Sequence, residues 1–210
     1  MDFQFKGANC VVITTKEGVL ITDPNLADLG AKQPNLSKVD VCLLTDPAFK
    51  PKETADAFVV DCPGEYEVKG YAVRGIPTRS HLAKENETDL RTIYRVSTGE
   101  LNVAILGHIY PELTDEELES LGMIDVLFIP VGGNGYTLDA VGAAKLVKLI
   151  DPKLVIPTHY ADPSLNYPVP QSDLENFLKE LGAPHQEVDK LKLKKETMAE
   201  ALSVCILKKS

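Results

Sequence analysis

Three residues that can bind a metal or move a proton stand just after predicted buried strands. Asp46, His108 and His159 each follow an apolar run of the sequence. If those strand ends share one edge of a sheet, the carboxylate and the two imidazoles converge on one pocket. Such a set can hold a single divalent ion such as zinc, with water in the remaining position. Hydrogen bonding among the same groups would equally hold the cluster without metal, so both interpretations stand.

The elements that must position these residues are predicted from the apolar pattern. The runs Val11-Val12-Ile13 and Cys42-Leu43-Leu44 are apolar on successive residues, which indicates central strands buried on both faces. Strands are predicted over residues 10–15, 19–22, 41–45, 57–61, 71–78, 90–98, 101–107, 126–131, 154–157 and 203–207, with one more near Leu191.

Helices are predicted mainly in the second half. Apolar residues at helical spacing indicate helices over residues 138–150 and 173–181, each covering a sheet. Capping boxes are predicted at Thr114 with Glu117 and at Ser172 with Glu175. A β-rich half followed by an α/β half, with no Ser/Gly-rich linker, predicts two mixed sheets covered outside by helices, in a single domain spanning residues 1–210.

Composition excludes several classes of function. The 210 residues carry a net charge of −9, and a surface of that sign repels phosphate backbones, so no nucleic-acid partner is expected. No basic-then-apolar leader and no run of about 18 apolar residues is present, so we expect a cytoplasmic protein without a membrane partner. The four cysteines lie in or beside apolar runs and are expected to be buried and reduced. The oligomeric state is not predicted.

Several blocks of sequence resemble one known family. They resemble the opening and later motifs of the metallo-β-lactamase superfamily, especially its short branch of metal-dependent hydrolases. The resemblance covers about residues 5 to 182 and implies an αββα four-layer sandwich. The blocks are Gly7-Ala8-Asn9-Cys10-Val11-Val12-Ile13, Ile21-Thr22-Asp23-Pro24, Pro63-Gly64-Glu65-Tyr66-Glu67-Val68-Lys69-Gly70, Ile124-Asp125-Val126-Leu127-Phe128-Ile129-Pro130-Val131-Gly132-Gly133 and Ile156-Pro157-Thr158-His159-Tyr160.

The metal motif of that family is largely replaced here. The family has a His-x-His-x-Asp-His sequence just after a strand-ending Thr, and its imidazoles and carboxylate hold zinc. In this chain Asp46, Ala48, Lys50 and Pro51 stand at the four ligand positions after Thr45. Ala48 and Pro51 have no side-chain donor, so the resemblance implies that no binuclear centre forms.

The remaining ligand positions are altered rather than erased. His108 stands where the family has a bridging Asp, His159 stands at the last ligand, and His81 is displaced by about one residue from the middle His. Each is alternatively an ordinary hydrogen-bonded core or loop residue. His185 is interpreted as a surface residue. The glycine-rich turn of residues 132–135 precedes a predicted helix, but it lacks the spacing of a phosphate-binding loop.

Three hypotheses about function follow. We favour a protein with a degraded metal site that is inactive or binds a small molecule, with no metal at full occupancy. The alternative is a metal-dependent hydrolase with a remodelled mononuclear site at Asp46, His108 and His159, with His81 a weaker fourth ligand. Metal-free acid–base catalysis by the same groups is the third.

Overall fold

Two β-sheets and three α-helices make up the protein in a computed structural model that describes residues 1–82 and 89–210. The strands are β1 (Asp2–Gly7), β2 (Cys10–Thr14), β3 (Val19–Thr22), β4 (Val41–Leu43), β5 (Phe58–Val60), β6 (Gly64–Val68), β7 (Tyr71–Arg79), β8 (Leu90–Ser97), β9 (Asn102–Ile105), β10 (Val126–Pro130), β11 (Leu154–Thr158), β12 (His185–Val188), β13 (Leu191–Lys192) and β14 (Ser203–Leu207). The helices are α1 (Asp115–Leu121), α2 (Ala140–Ile150) and α3 (Leu174–Leu181), and a short 3₁₀ turn spans Pro47–Phe49.

Both sheets are mixed. The six-stranded sheet has the order β13-β1-β2-β3-β4-β5, and its strands β3, β4 and β5 are parallel. The eight-stranded sheet has the order β12-β14-β11-β10-β9-β8-β7-β6, with a parallel block from β9 to β12 and an antiparallel block from β6 to β9. The parallel strands matter for function, because the carboxyl ends of parallel strands meet at the same edge of a sheet.

Two buried tyrosines join the sheets across the core. Tyr71 and Tyr94 belong to the eight-stranded sheet, and neither has accessible surface. The Tyr71 hydroxyl lies 3.0 Å from the Ile13 carbonyl and 2.7 Å from that of Gly18, and Tyr94 donates 2.8 Å to the Leu44 carbonyl. A buried hydroxyl needs such an acceptor, so these bonds help fix the separation and register of the two layers.

The outer layers of the sandwich differ. Helices α2 and α3 pack on the same eight-stranded sheet, where Leu146 and Phe177 have no exposed surface. The outer face of the six-stranded sheet is covered instead by the irregular segment of residues 23–40, whose Leu26 and Leu36 are buried there. Among the described residues, no helix is long and apolar enough to cross a membrane.

The predicted architecture of two mixed sheets with helices outside is confirmed, with both predicted helices on the outer face of the eight-stranded sheet. Three strands were not predicted: β1, β6 and β12. In β1 the signal was present, because Phe3 and Phe5 alternate with polar residues. In β12 no residue is fully buried, so backbone pairing with β14 makes the strand and the side chains give no pattern. The expectation that all four cysteines are buried is wrong for Cys62, which is exposed.

The two predicted capping boxes had different outcomes. Thr114 accepts a bond from the Glu117 amide, and the Glu117 carboxylate accepts one from the Thr114 amide, as predicted. The box at Ser172 is wrong, because α3 begins one residue later than the box requires. Its N-cap residue is Asp173, which makes no side-chain cap bond.

This difference gives a matched pair of substitutions. We expect Thr114→Ala to lower the free energy of unfolding by about 1 kcal/mol, since it removes an acceptor from the start of α1. Ser172→Ala should change it by less than about 0.5 kcal/mol, because its hydroxyl caps nothing. Denaturant unfolding measures both, and equal losses in the two variants would contradict the assignment of the caps.

Candidate functional site

The ends of five strands bring polar residues to one edge of the sandwich. Asp23 follows β3, Thr45 and Asp46 follow β4, and His108 follows β9. His159 follows β11 directly. Asn9 reaches the same edge from the other direction, because it precedes β2, which runs antiparallel to β3.

A buried carboxylate lies at the centre of this edge. Asp23 has no exposed surface and accepts 2.7 Å bonds from the amide of Thr45, from the hydroxyl of Thr45 and from Nδ2 of Asn9. Asn9 also donates to the Leu106 carbonyl and accepts a 2.7 Å bond from the hydroxyl of Thr158. We call Asn9, Asp23, Thr45 and Thr158 the buried network. It joins β2, β3 and β4 of one sheet to β11 of the other.

Burial dominates the ionisation of this carboxylate. Desolvation raises the pKa of Asp23 from 3.8 to about 6, and the bonds from Thr45 and Asn9 oppose that rise. Desolvation has the larger effect on the pKa, because these hydrogen bonds do not fully replace the hydration that the ionised carboxylate would have in water.

Two imidazoles lie together beside the network. The ring centroids of His108 and His159 are 4.7 Å apart and the rings are nearly perpendicular. Burial lowers the pKa of His159 from 6.5 to about 4 and that of His108 well below 6.5, and the charges of His159, Arg91 and His81 lower the pKa of His108 further. Both rings are therefore neutral at pH 7.

Hydrogen bonds orient His159. Its Nδ1 lies 3.1 Å from Oε1 of Gln171, whose Nε2 donates to the Val169 carbonyl. Since Oε1 can only accept, Nδ1 carries the proton and Nε2 has the free lone pair. The backbone of His159 is left-handed, with φ of 51°, and its amide donates to the Ala8 carbonyl at 2.8 Å.

Aromatic side chains surround the two imidazoles. Phe49 and Tyr136 lie against His108 at centroid distances of 5.1 and 4.6 Å, and Tyr167 lies 4.7 Å from His159. We call these five residues the ring cluster. Nε2 of His108 is buried and has no hydrogen-bond partner among the residues that the structure describes.

The Asp46 carboxylate pairs with Arg91. Its Oδ2 lies 2.8 Å from Nε of Arg91, and the two side chains are only 14% and 16% exposed. The contact is an ion pair and not a hydrogen bond, because the Nε–H is not aligned with an acceptor. Oδ1 of Asp46 accepts from the Ala48 amide and caps the 3₁₀ turn. Arg91 also donates 2.5 Å to Asp89.

The structure thus brings together part of the predicted set. His108 and His159 are adjacent, whereas the Asp46 carboxylate is held by Arg91. His81 follows β7, its amide donates to the His108 carbonyl at 2.8 Å, and its Nδ1 lies 3.1 Å from the Ile109 carbonyl. In residues 1–82 and 89–210, no three His, Cys, Asp or Glu side chains are grouped so that they could hold a metal ion. His185 is exposed on β12, as expected.

Close packing explains the glycine-rich turn. A Cβ on Gly132 would overlap the His159 carbonyl and the Gln171 side chain, so glycine is needed for this approach. The turn does not open α2, whose first turn is capped by the Asp139 carboxylate bonding to the Gly142 amide at 2.7 Å. The turn therefore has a packing role.

Sequence reasoning missed several residues of this edge. Arg91, Tyr136 and Gln171 carry no local motif, because they reach the site from three separate loops or strands. Asp23 had a readable signal: a lone acidic residue, placed directly after the apolar run of β3 and before Pro24, either caps a turn or is buried with donors.

Comparison with known proteins decides the family. The model of the beta-lactamase superfamily domain matches residues 2–159. The chain belongs to the metallo-β-lactamase superfamily. The expected resemblance is thereby confirmed, including its fold.

Individual curated relatives match shorter stretches. A UPF0173 protein of Pyrococcus furiosus is 37% identical over 83 residues, which is 40% of this chain and 35% of that protein. A UPF0173 metal-dependent hydrolase of Archaeoglobus fulgidus is 36% identical over 70 residues, which is 33% of this chain and 28% of that protein. The matches thus span about a third of the length of these curated relatives.

Solved structures match most of the chain. A Thermotoga maritima protein described as a Zn-dependent hydrolase of the superfamily is 25% identical, with a TM-score of 0.78 and 99% of both chains covered. Igni18, a metallo hydrolase of Ignicoccus hospitalis, is 16% identical with a TM-score of 0.63 over 86% of this chain and 90% of that one, and shows the fold alone.

The buried network predicts the effect of removing one donor. Thr158→Val leaves Oδ1 of Asn9 buried without a donor, so we expect the free energy of unfolding to fall by about 1 to 3 kcal/mol. Thr78→Val is the matched control, because the Thr78 hydroxyl is buried and has no partner among the described residues. That control should be neutral or stabilising. Equal losses in denaturant unfolding would show that Thr158 acts only through its shape.

The shifted pKa values predict how stability depends on pH. Below about pH 6.5 the unfolded state protonates both histidines, which the folded state holds neutral, so their contribution is lost as pH falls. Asp23 acts oppositely, because its raised pKa lets the folded state bind a proton between pH 6 and 3.8. Unfolding near pH 5 should therefore take up about one proton net. The free energy of unfolding should then fall by about 1.4 kcal/mol for each unit by which the pH is lowered.

One substitution tests that balance. His159→Asn suits the left-handed backbone and removes one of the two histidine protons, so the slope near pH 5 should approach zero. His185→Asn, at an exposed position, should leave the slope as in the unmodified protein. Unfolding free energies measured from pH 4.5 to 6 give both slopes, and an unchanged slope in His159→Asn would contradict the buried neutral imidazole.

Proposed function

We propose that this protein is a metallo-β-lactamase-fold protein that works without a resident metal ion and binds a small molecule at the edge where β3, β4, β9 and β11 end, which we call the strand-end edge. The ion pair between Asp46 and Arg91 carries the proposal. Asp46 stands at the first ligand position of the family motif, and its charge is already compensated by a guanidinium that is always protonated.

The other residues of the motif window also lack a ligand role. Ala48 and Pro51 have no donor, and Lys50 lies 3.6 Å from Asp61 in a partly exposed ion pair. The Phe49 ring packs against His108, where an ion bound to that imidazole would need space for its other ligands. These residues do not fit the family's binuclear centre, and Arg91 opposes even a single cation.

A cavity beside His159 supports small-molecule binding. It has a volume of about 560 Å³, within the range of ligand sites, and Tyr167 and Gln171 line it. A molecule in this cavity would contact these two side chains, which in turn contact the buried His159 ring. Asp162 and Asn166 add polar groups to the wall.

A specific observation favours a second candidate, a hydrolase with one metal ion. His108 and His159 are adjacent, and Nε2 of His108 is buried without a partner among the described residues. An ion bound there would lie beside neutral imidazoles, which are the form that ligates metals. The relatives named metal-dependent hydrolases support this candidate, whereas the Arg91 charge opposes it.

Metal content separates the two candidates. Protein purified without chelator should contain well below one equivalent of any divalent metal by mass spectrometry, and His159→Asn should not change that content. The exposed-site variant His185→Asn controls for adventitious binding. One equivalent of metal that disappears only in His159→Asn would overturn the proposal and select the mononuclear hydrolase.

The binding site has a separate test. A panel of small polar metabolites should include compounds that raise the Tm of the unmodified protein, since ligands stabilise the state that binds them. Gln171→Leu should remove those shifts, because it changes the cavity wall and releases His159. Shifts that persist in Gln171→Leu would place the ligand elsewhere and contradict the proposed cavity.

A cytoplasmic location is proposed with this function. The four thiols are free, and three of them, at Cys10, Cys42 and Cys205, are buried. Reduced buried cysteines are typical of a reducing compartment.

A further inference from the structure

A second cavity lies on the outer face of the six-stranded sheet, apart from the ring cluster. Its volume is about 430 Å³, and its floor includes Val12, Val19 and Ile21. We call it the outer groove. It exists because the segment of residues 23–40 covers this face only in part, whereas helices cover the outer face of the other sheet. Val12 and Val19 consequently remain half-buried.

The sheet register makes the floor continuous. Gln4 of β1 pairs with Val12 of β2, which pairs with Ile21 of β3, so the three side chains form a row across the strands. Thr14 pairs with Val19 in the next row. The apolar part of the floor is therefore an aliphatic strip of Val12, Val19 and Ile21, in which the two valines are half-buried and Ile21 is buried.

The wall beside this strip is held by internal bonds. Oε1 of Gln33 accepts from the Ala27 amide, and its Nε2 donates to the Pro24 carbonyl. Leu26 and Val39 anchor the two ends of the segment, with 3% and 9% of their surface exposed. A groove with such a wall is largely formed before any ligand enters, which lowers the entropic cost of binding.

The rim of the groove is cationic. Lys6, Lys32 and Lys38 line it, and no Asp or Glu does, although acidic residues outnumber basic ones by 31 to 22 in the chain. Nζ of Lys6 bonds to the neutral atoms Gln4 Oε1 and Ser210 Oγ at 3.0 and 3.1 Å. Among the described residues, none of the three lysines takes part in an ion pair.

We propose that the outer groove binds an aliphatic carboxylate, with its chain on the aliphatic strip and its carboxylate at the lysine-lined rim. An apolar floor with unpaired cations at the rim complements a molecule that has an alkyl chain and one anionic end. A neutral alkyl compound would leave the lysines unused, and a cationic one would be repelled. The proposal is independent of the function proposed for the strand-end edge.

Calorimetric titration with decanoate, below its micellar concentration, tests the proposal. Decanoate should bind saturably at one site. Octanoate should bind about tenfold more weakly, because each buried methylene contributes about a three- to fourfold factor. Decanol should bind several-fold more weakly than decanoate, and decyltrimethylammonium more weakly still.

Substitutions locate the binding. The double variant Lys32→Gln/Lys38→Gln should weaken decanoate binding about three- to tenfold and leave decanol binding unchanged, since exposed ion pairs contribute modestly. Lys148→Gln, at an exposed position of α2, is the matched control. Decanoate should also shift the methyl NMR signals of Val12, Val19 and Ile21.

Several results would overturn the proposal. They are equal binding of decanoate and decyltrimethylammonium, unchanged decanoate binding in the double lysine variant, or methyl shifts confined to other residues. Binding to anionic lipid vesicles without binding of monomeric decanoate would identify a membrane surface as the partner instead. None of these results would bear on the metal content or on the Gln171 cavity.

Discussion

The buried carboxylate of Asp23 is the constraint on which this edge of the protein depends. A carboxylate without solvent contact must be surrounded by donors, and here they come from Thr45 and Asn9. The side-chain amide of Asn9 is both donor and acceptor, since its Nδ2 donates to Asp23 and its Oδ1 accepts from Thr158. The ends of β3, β4 and β11 are therefore held in one arrangement, and a shift of either sheet would leave a buried polar group unpaired.

This arrangement sets the character of the neighbouring histidines. His159 follows Thr158 directly and its amide donates to the Ala8 carbonyl. The network therefore fixes the backbone position from which the imidazole extends. The ring then lies in a dry setting with His108, and burial keeps both rings neutral. The Asp46 carboxylate at this edge pairs with the guanidinium of Arg91. A guanidinium cannot lose its charge at any physiological pH, so the compensation of Asp46 is permanent.

The sequence predicted the layers of this fold better than the contacts at its edge. The apolar run around Val12 correctly predicted a central strand, although the expected burial on both faces is wrong at Val12, which is half-buried. The capping box at Thr114 predicted the start of α1, because that signal is local. The order of the strands brought Asp46 and the two histidines to one edge, as expected. The pairing of Asp46 with Arg91 could not be predicted, because it joins β4 to β8 through side-chain directions that no local pattern encodes.

The buried network also explains how this fold can persist while the motif window changes. The donors that satisfy Asp23 belong to Thr45 and Asn9, and none belongs to residues 46–51. Substitution of metal ligands in that window therefore leaves the support of the strand ends intact. If the edge works without a metal ion, as proposed, the partly buried Asp46 carboxylate still needs a compensating charge. Arg91 supplies that charge in an ion pair, and Phe49 fills space against His108. In this superfamily member, the residues that support the edge are thus different from those of the motif window, so membership in the superfamily alone does not determine the function.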